Sequence, residues 1–320
     1  MTSNIVIACI DTRDPPATLR ALAGLDVAIH RVVGFDDPRE ASLFRDADGI
    51  ITEMHPVTSS MMESFNRCRI IACASTGYDY VDHPSAAQHG IWVTNCPGYC
   101  TDEVATHTLA LLLSQARRLP ELRDLTHAGQ WDPRPVRPIR HPRTQTLGII
   151  GWGRIGKAVS AKASALGFKV IANDPYVDPK QMLDAGITPT DKETLLRQAD
   201  YVSLHTPLND ETRGMMDARL ISLMRPSAYL INTARGLLVD EDALLGAVQE
   251  GRLAGAALDV LAIEPPSDHP FFHDDRFFIT PHTAWCSEEA DAAVWEWAAG
   301  NVASVLKHER PADAVNQPQR

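Results

Sequence analysis

Residues 151–156 restrict the possible fold of this chain more than any other segment. They read Gly-Trp-Gly-Arg-Ile-Gly and stand between an apolar, strand-like run, 146–150, and a helical segment, 154–166. In this setting the first glycine allows a tight turn, the second lets the backbone approach a pyrophosphate, and the third lets helix pack on strand. The helix start also offers free N–H groups to an anion. The segment therefore predicts a dinucleotide site at Gly151, Gly153, Arg154, Ile155 and Gly156.

An acidic residue at the end of the next strand supports the same interpretation. Asp174 lies 18 residues after Gly156 and follows the strand-like run 169–172. A carboxylate at this place hydrogen-bonds the ribose hydroxyls of NAD and repels the additional phosphate of NADP. We therefore predict NAD as the cofactor.

Strand-like and helix-like segments alternate along most of the chain. In the first hundred residues, short apolar runs predict strands at 5–8, 28–29, 49–51, 70–72 and 92–93, with helices at 16–25 and 58–68. A long apolar helix is predicted at 101–119. A second series of strands follows at 146–150, 169–172, 201–204, 229–231, 256–258 and 278–279. Such alternation is typical of parallel sheets covered by helices, so the predicted fold class is α/β with two βα series.

The segment 131–143 interrupts this pattern. It reads WDPRPVRPIRHPR, and its four prolines exclude a helix and favour an extended loop. We interpret it as a surface linker or a contact arm between subunits. Its four arginines leave open a site for an anionic ligand or partner.

Length and charge exclude several classes of protein. At about 100–200 residues per domain, 320 residues predict two domains. Hydrophobic residues make up 44% of the chain and charged residues 22%, which argues against a disordered protein. With 30 basic and 41 acidic residues the net charge is −11, which disfavours a nucleic-acid partner. No apolar run approaches the roughly 20 residues of a membrane span, and no signal peptide is evident.

The cysteines do not form a recognisable metal or disulfide pattern. The chain has six, and although Cys96 and Cys100 are four apart, no second Cys or His pair follows at zinc-binding spacing. We therefore expect no metal site, reduced thiols and a cytoplasmic location.

Three chemically useful residues follow strands of the second series. Arg235 follows the strand 229–231, Glu264 lies beyond 256–258, and His282 lies beyond 278–279. Ligands of parallel sheets bind at the carboxyl ends of the strands, which is also the dinucleotide edge. Reduction of a 2-keto acid needs a hydride donor, a cation for the carboxylate and a proton donor. Arginine and histidine supply the last two, and a carboxylate orients the imidazole.

These segments together resemble a known family. The glycine turn, NTARGLLVDEDAL, GAALDVLAIEP and TPHTAW are similar to motifs of the D-isomer-specific 2-hydroxyacid dehydrogenases, and the similarity runs over nearly the whole chain. Within the family, TPHTAWCSEEA looks closest to the C-terminal-binding-protein branch, which includes bacterial dehydrogenases and animal transcriptional corepressors.

The resemblance implies a role for each matched residue. Arg235 would bind the substrate carboxylate and carbonyl, Glu264 would pair with His282, and His282 would be the acid/base. Further cofactor contacts are implied for Val104, His205, Thr206, Pro207, Asn209, Thr212, Thr233, Ala234, Arg235, Asp259, His282 and Ala284. Substrate contacts are implied for Ser75, Thr76, Gly77, Arg235, His282 and Trp285, the first three through backbone N–H groups.

The resemblance also implies a domain layout. A flavodoxin-like substrate domain would comprise 1–101 and 304–320, and a Rossmann NAD-binding domain with the linking helices would comprise 102–303. The active site would lie in the cleft between them, in a homodimer. Two positions depart from related sequences: Cys73 replaces an arginine that helps bind substrate in the C-terminal-binding branch, and Thr106 replaces a glutamate common in relatives. Only the first bears on substrate preference.

The resulting functional prediction is an NAD-dependent oxidoreductase that interconverts a small 2-keto acid and its D-2-hydroxy acid. Glyoxylate, hydroxypyruvate and pyruvate-like acids are the expected substrates. Two alternatives stay open at this point. One is an NAD(H)-sensing dimeric scaffold like the corepressors, and the other is phosphite-type oxidation at the same site. Glu264 argues against formate oxidation, because the formate-oxidising relatives lack the Glu–His pair.

Overall fold

A computed structural model of the 320-residue chain describes residues 2–9, 19–32 and 40–319. Its strands are β1 (Ser3–Cys9), β2 (Val27–Val32), β3 (Gly49–Glu53), β4 (Ile70–Cys73), β5 (Trp92–Thr94), β6 (Thr146–Ile150), β7 (Lys169–Asn173), β8 (Thr188–Pro189), β9 (Tyr201–Leu204), β10 (Tyr229–Asn232), β11 (Gly255–Leu258) and β12 (Phe277–Ile279). Its α-helices are α1 (Ala41–Arg45), α2 (Ser59–Met62), α3 (His83–Gln88), α4 (Thr101–Ala116), α5 (Leu119–His127), α6 (Arg154–Ala165), α7 (Pro179–Asp184), α8 (Lys192–Gln198), α9 (Ala218–Ile221), α10 (Glu241–Gln249) and α11 (Glu288–Leu306).

The chain forms two compact units. The first comprises Met1–Tyr99 with Ser287–Arg320, and the second comprises Cys100–Cys286. The resemblance implied a different second boundary, near residue 304. The difference is helix α11, which packs on β3 and β4 of the first unit. Trp295 and Val302 of this helix are buried beside Ile5 and Ile70 in the core of the first sheet.

The first unit contains a five-stranded sheet in the order β2-β1-β3-β4-β5, and all its strands are parallel. This is the strand order of flavodoxin-like folds. Alternate residues of each strand enter opposite cores: Ile5 and Ile7 face α11, while Val6 lies with Phe44 and Met62 of the other face. Burial on both faces explains why the strands read as continuous apolar runs.

The second unit contains a seven-stranded parallel sheet in the order β12-β11-β10-β9-β6-β7-β8. Its direction of winding reverses at β6, as in the Rossmann fold, and ligands of such sheets bind beyond the carboxyl ends of the strands at this switch point. Leu230 packs on one face and Ile231 on the other, against separate helical layers. The predicted α/β class with two parallel sheets is confirmed, and the glycine turn follows β6 at the switch point.

The predicted strands of both series are confirmed, whereas three predicted helices differ from the structure. The helix predicted at 101–119 ends at Ala116, because Pro120 would clash with the carbonyl four residues earlier. Arg118, at φ 55°, connects α4 to α5. The helix predicted at 58–68 is reduced to α2, since the N–H of Phe65 closes a tighter turn on the carbonyl of Met62 at 3.0 Å.

The third difference concerns the first predicted helix, 16–25. Residues 16–18 lie outside the described residues, and the described remainder contains only the 3-10 turn Arg20–Leu22. The proline-rich segment 131–143 contains no α-helix or β-strand and has two 3-10 turns, Arg134–Val136 and Pro142–Thr144, as predicted for a loop. Among the described residues, no helix combines the length and the apolar character that crossing a bilayer requires.

Candidate active site

The three glycines of the turn after β6 differ in what surrounds them. Gly151 has φ 90°, and a Cβ placed there would lie 2.6 Å from the carbonyl oxygen of His205. A Cβ at Gly156 would lie 2.2 Å from the carbonyl oxygen of Gly151. At Gly153 no described atom comes within 4 Å of such a Cβ. Packing therefore requires the first and third glycines, while the second borders open space at the start of α6, as a pyrophosphate site needs.

The residues between the glycines either support α6 or begin it. Trp152 is buried, and its Nε1 donates to Ser160 Oγ at 3.0 Å, so this indole supports α6 from inside. Arg154 and Ile155 form the first turn of α6, whose N-cap is Gly153. Because a glycine cap has no side chain to accept from the first N–H groups, these groups remain available to an anionic ligand.

Asp174 lies beside this turn and is held by the backbone. Its Oδ2 accepts from the N–H of Trp152 at 2.8 Å, and its Oδ1 accepts from the N–H of Tyr176 at 2.9 Å. The carboxylate of the β7 end is thereby fixed next to the glycine turn. This arrangement fits the ribose of a dinucleotide bound on the turn.

The segment after β9 covers the other side of the glycine turn. The N–H of His205 donates to the carbonyl of Ile150 at 2.7 Å, and Thr206 lies against Gly151. Burial lowers the pKa of His205 to about 3, so the imidazole is neutral at pH 7. Its Nε2 contacts Ser203 Oγ at 2.9 Å.

Two predicted cofactor residues of this segment shape the loop itself. Asn209 Oδ1 accepts from the N–H of Thr212 at 3.0 Å, and Thr212 Oγ1 donates to the carbonyl of Pro207 at 2.7 Å. These bonds hold the loop in one conformation. Direct contact of Pro207, Asn209 and Thr212 with the cofactor stays a prediction.

Helix α4, which carries Val104, contacts the carboxyl end of β10 through Thr108. Thr108 donates from its hydroxyl to the carbonyl of Val104 at 2.7 Å, and its Oγ1 lies 2.9 Å from Thr233 Oγ1. The N–H of Ala234 donates to Asn232 Oδ1 at 3.0 Å. Thr108 therefore joins α4 to the strand end that carries Thr233 and Ala234, and the contact of Val104, one helical turn earlier, with the cofactor stays a prediction.

Arg235 and the segment carrying Glu264 are joined by a close backbone contact. A Cβ at Gly236 would lie 1.9 Å from the carbonyl carbon of Leu261. Only glycine permits this approach, which sets Arg235 beside the turn 261–264. The guanidinium Nη1 of Arg235 donates to the carbonyl of Ala234 at 2.8 Å.

Glu264 and His282 form a direct pair. His282 Nδ1 lies 2.6 Å from Glu264 Oε2, and the N–H of Leu261 donates to Glu264 Oε1 at 2.7 Å. Burial alone would raise the pKa of Glu264. The hydrogen bond and charge of His282, the N–H of Leu261 and the charge of Arg235 outweigh that effect, and the pKa falls below the usual 4.5. The carboxylate is therefore ionised at neutral pH.

Glu241 is a supporting residue that the sequence did not reveal. Its Oε1 accepts from the N–H of Ala262 at 2.8 Å, and its Oε2 lies 3.3 Å from His269 Nε2. It therefore anchors the turn that carries Glu264. The only available signal was an acidic residue at the first position of α10, inside the segment NTARGLLVDEDAL, and such a residue ordinarily serves the helix end alone.

The predicted substrate loop lies at the end of β4 in the first unit. Ser75 donates from its hydroxyl to the carbonyl of Gly77 at 2.6 Å, and Thr76 donates to the carbonyl of Cys96 at 3.2 Å. In the described part of the chain, no atom accepts a hydrogen bond from the backbone N–H of Ser75 or Gly77. Trp285, in the second unit, is partly exposed.

Cys73 does not line a pocket, because its side chain belongs to the apolar core of the first unit. It is fully buried, and burial raises the pKa of its thiol to about 12. An uncharged core thiol cannot replace the arginine of the C-terminal-binding branch. Thr106 lies on α4 with its Oγ1 3.4 Å from Lys162 Nζ, a cation that pairs with Asp102 at 2.8 Å.

Comparison with known proteins gives consistent results. The family described as "D-isomer specific 2-hydroxyacid dehydrogenase, NAD binding domain" matches residues 109–284. A glyoxylate reductase of Thermofilum pendens is 37% identical over 305 residues, covering 91% of this chain and 88% of the relative.

Two solved structures are similar over nearly the whole chain. The D-lactate dehydrogenase of Aquifex aeolicus, solved with NAD and lactic acid, has a TM-score of 0.89 at 29% identity, covering 98% of this chain and 100% of that one. An acyclic imino acid reductase solved with NADPH and D-Arg has a TM-score of 0.86 at 30% identity, covering 98% and 99%.

Proposed function

Because the chain belongs to the D-isomer-specific 2-hydroxyacid dehydrogenase family and is an NAD-dependent enzyme of that family, we propose that it interconverts a small 2-keto acid and its D-2-hydroxy acid. Glyoxylate is the first substrate to test, followed by hydroxypyruvate and pyruvate-like acids. The observation that carries the proposal is the 2.6 Å bond between His282 Nδ1 and Glu264 Oε2, at the strand edge that also bears Arg235.

In this proposal each polar residue has a defined role. The guanidinium of Arg235 binds the substrate carboxylate and polarises the carbonyl. Glu264 accepts the Nδ1 hydrogen of His282, because an ionised carboxylate can only accept. In the doubly protonated imidazolium, Nε2 gives its proton to the carbonyl oxygen, and His282 is left as the neutral imidazole. When bound, NADH supplies the hydride that the carbonyl carbon receives. The sum of one hydride and one proton converts the keto acid into the hydroxy acid.

The cofactor residues are assigned to separate parts of NAD. The glycine turn and the start of α6 would hold the pyrophosphate, and Asp174 would bind the adenosine ribose. The open space at Gly153 and the fixed Asp174 carboxylate support this assignment. Preference for NADH over NADPH is part of the proposal, with the charge of Asp174 as its cause.

The substrate-binding roles of Ser75, Thr76, Gly77 and Trp285 are likewise proposed. The backbone N–H groups of the loop after β4 would bind the substrate carboxylate, and the indole would limit the size of the substrate. The orientation of the Ser75 hydroxyl toward Gly77 supports the first role, since it braces the loop in a fixed turn. A cytoplasmic homodimer with no nucleic-acid or membrane partner is the expected setting.

The test is a screen of NADH oxidation with a panel of 2-keto acids, repeated with NADPH. His282→Ala should lose nearly all turnover while NADH binding, followed by fluorescence titration, survives. The matched control is His273→Ala, since that imidazole is exposed and pairs with the exposed Asp268 at 2.8 Å. Wild-type turnover in His282→Ala, or no turnover of the wild-type protein with any 2-keto acid, would reject the proposed function.

A further inference from the structure

The carboxylate of Asp259 accepts its hydrogen bonds from one loop of the protein. It stands at the carboxyl end of β11 and its side chain is inaccessible to solvent. Oδ1 accepts from the hydroxyl of Thr280 at 2.5 Å and from the N–H of Thr283 at 2.9 Å. Oδ2 accepts from the N–H of Ala284 at 2.8 Å. All three donors belong to the loop 280–284, so this single buried group organises the loop that carries His282.

A second group, His107, reaches the same carboxylate from helix α4. Its Nε2 lies 3.0 Å from Thr280 Oγ1 and 3.5 Å from Asp259 Oδ1. The Thr280 hydroxyl hydrogen points to Asp259, to which this hydroxyl donates. Thr280 Oγ1 therefore accepts from His107, which must carry its hydrogen on Nε2. The result is a directed chain of hydrogen bonds from α4 through Thr280 to Asp259.

The backbone conformation of His282 is the feature that these hydrogen bonds stabilise. Its φ is 49°, in the left-handed region that a residue with a Cβ occupies only at a cost. Such a conformation persists where the surroundings impose it. The N–H of His282 donates to the main-chain carbonyls of Asp259 at 2.8 Å and Thr280 at 3.0 Å. The conformation that turns the imidazole toward Glu264 thus depends on the loop being fastened at both ends.

From this geometry we propose that His107 and Thr280 are positioning residues for the acid/base His282, acting through Asp259. The proposal rests on the proposed function, since it assumes that His282 transfers the proton. It assigns to His107 and Thr280 a role that neither residue's position in the sequence indicates. They need not touch the substrate or the cofactor, because their effect passes through the conformation of the loop 280–284.

Thr280→Val and Thr280→Ser test the proposal. The valine keeps the shape and removes the hydroxyl, and kcat should fall roughly ten- to a hundredfold, the loss expected for displacement of a reacting group by up to about 1 Å. The dissociation constant of NADH and the KM for the keto acid should stay close to wild type. The serine keeps the hydroxyl and should restore most of kcat. A role limited to packing would give the opposite order, because serine lacks the methyl group.

His107→Leu and His107→Gln provide a second pair for the case that Thr280→Val does not fold. Glutamine keeps an N–H donor and should retain more kcat than leucine. Equal kcat within either pair overturns the proposal, as does a loss that falls wholly on NADH affinity. Inactivity of His282→Ala together with a wild-type kcat in Thr280→Val rejects the positioning role alone. Turnover by His282→Ala rejects the proposed function and the positioning role together.

Discussion

The contact between Gly236 and Leu261 offers the sharpest test of how the active-site edge is built. Gly236 follows Arg235 directly, and Leu261 begins the turn that ends at Glu264. In Gly236→Ala the new Cβ would lie 1.9 Å from the carbonyl carbon of Leu261, 2.1 Å from its oxygen and 2.4 Å from the nitrogen of Ala262. All three atoms belong to the backbone, so no side-chain rotation can relieve the overlap.

The size of the effect follows from these distances. Carbon atoms in contact are about 3.5–4.0 Å apart, so the two backbone segments must separate by roughly 1.5 Å or more. Overpacking of this kind costs about 1–3 kcal/mol of the free energy of unfolding. Displacement of Arg235 from Glu264 on that scale should reduce kcat/KM about a hundredfold. The binding of NADH should change much less, because the glycine turn after β6 is untouched.

The measurement combines urea unfolding, NADH titration and kcat/KM for the best keto acid of the screen. Gly246→Ala is the matched control. Gly246 lies in helix α10, and apart from the helix's own backbone no described atom lies within 4 Å of its added Cβ. Alanine there should stabilise the helix by about 0.5–1 kcal/mol. A Gly236→Ala variant with wild-type stability and kcat/KM would refute the reasoning.

Three further predictions concern the cofactor edge. Gly153→Ala should fold with wild-type stability but bind NADH roughly tenfold more weakly or worse, a loss of ~1.4 kcal/mol or more in a titration, because its Cβ occupies the space left for the pyrophosphate; unchanged affinity would place the pyrophosphate elsewhere. Asp174→Asn should raise the ratio of NADPH to NADH efficiency about tenfold, measured as kcat/KM with each cofactor, and an unaltered ratio would contradict the charge argument. His205 has a folded pKa of about 3 against 6.5 unfolded, so the unfolded chain binds more protons between these values and stability falls as pH falls below 6.5. His205→Gln should flatten the loss of unfolding free energy between pH 6.5 and 4.5, by up to about 1.4 kcal/mol per pH unit in urea titrations. An equal slope in both proteins would argue against a neutral imidazole in the folded state.

Local sequence patterns predicted the parts of this fold that are determined locally. The strands β6 and β10 are four- or five-residue apolar runs with turn residues beyond them, and buried parallel strands read that way wherever they occur. The glycine turn was recognisable because a tight turn, approach to a pyrophosphate and packing of helix on strand are requirements of one strand–turn–helix unit. The assignment of helix α11 to the first unit depends on contacts with β3 and β4, which lie far away in sequence.

The candidate site likewise contains residues that the sequence indicated and others that only the structure revealed. The sequence indicated Arg235, Glu264 and His282 because strand ends of a parallel sheet share one edge, and the structure brings the last two within 2.6 Å. It did not indicate Glu241, which supports a turn 21 residues away. Nor did it show that Cys73 faces the core, because β4 is buried on both sides and alternation along the strand carries no information about direction.

The sequence by itself determined the chemical groups of this protein and the sheet edge on which they lie, because residue type and strand order follow from local patterns. Only the tertiary structure decided how those groups are held. The carboxylate of Asp259, a predicted cofactor residue, accepts hydrogen bonds from the loop 280–284, and its direct contact with the cofactor stays a prediction. Hydrogen bonds between segments 20 or more residues apart depend on side-chain direction and on backbone approach. Neither quantity has a local signature, so the support of His282 becomes visible only when β11, β12 and α4 are packed together.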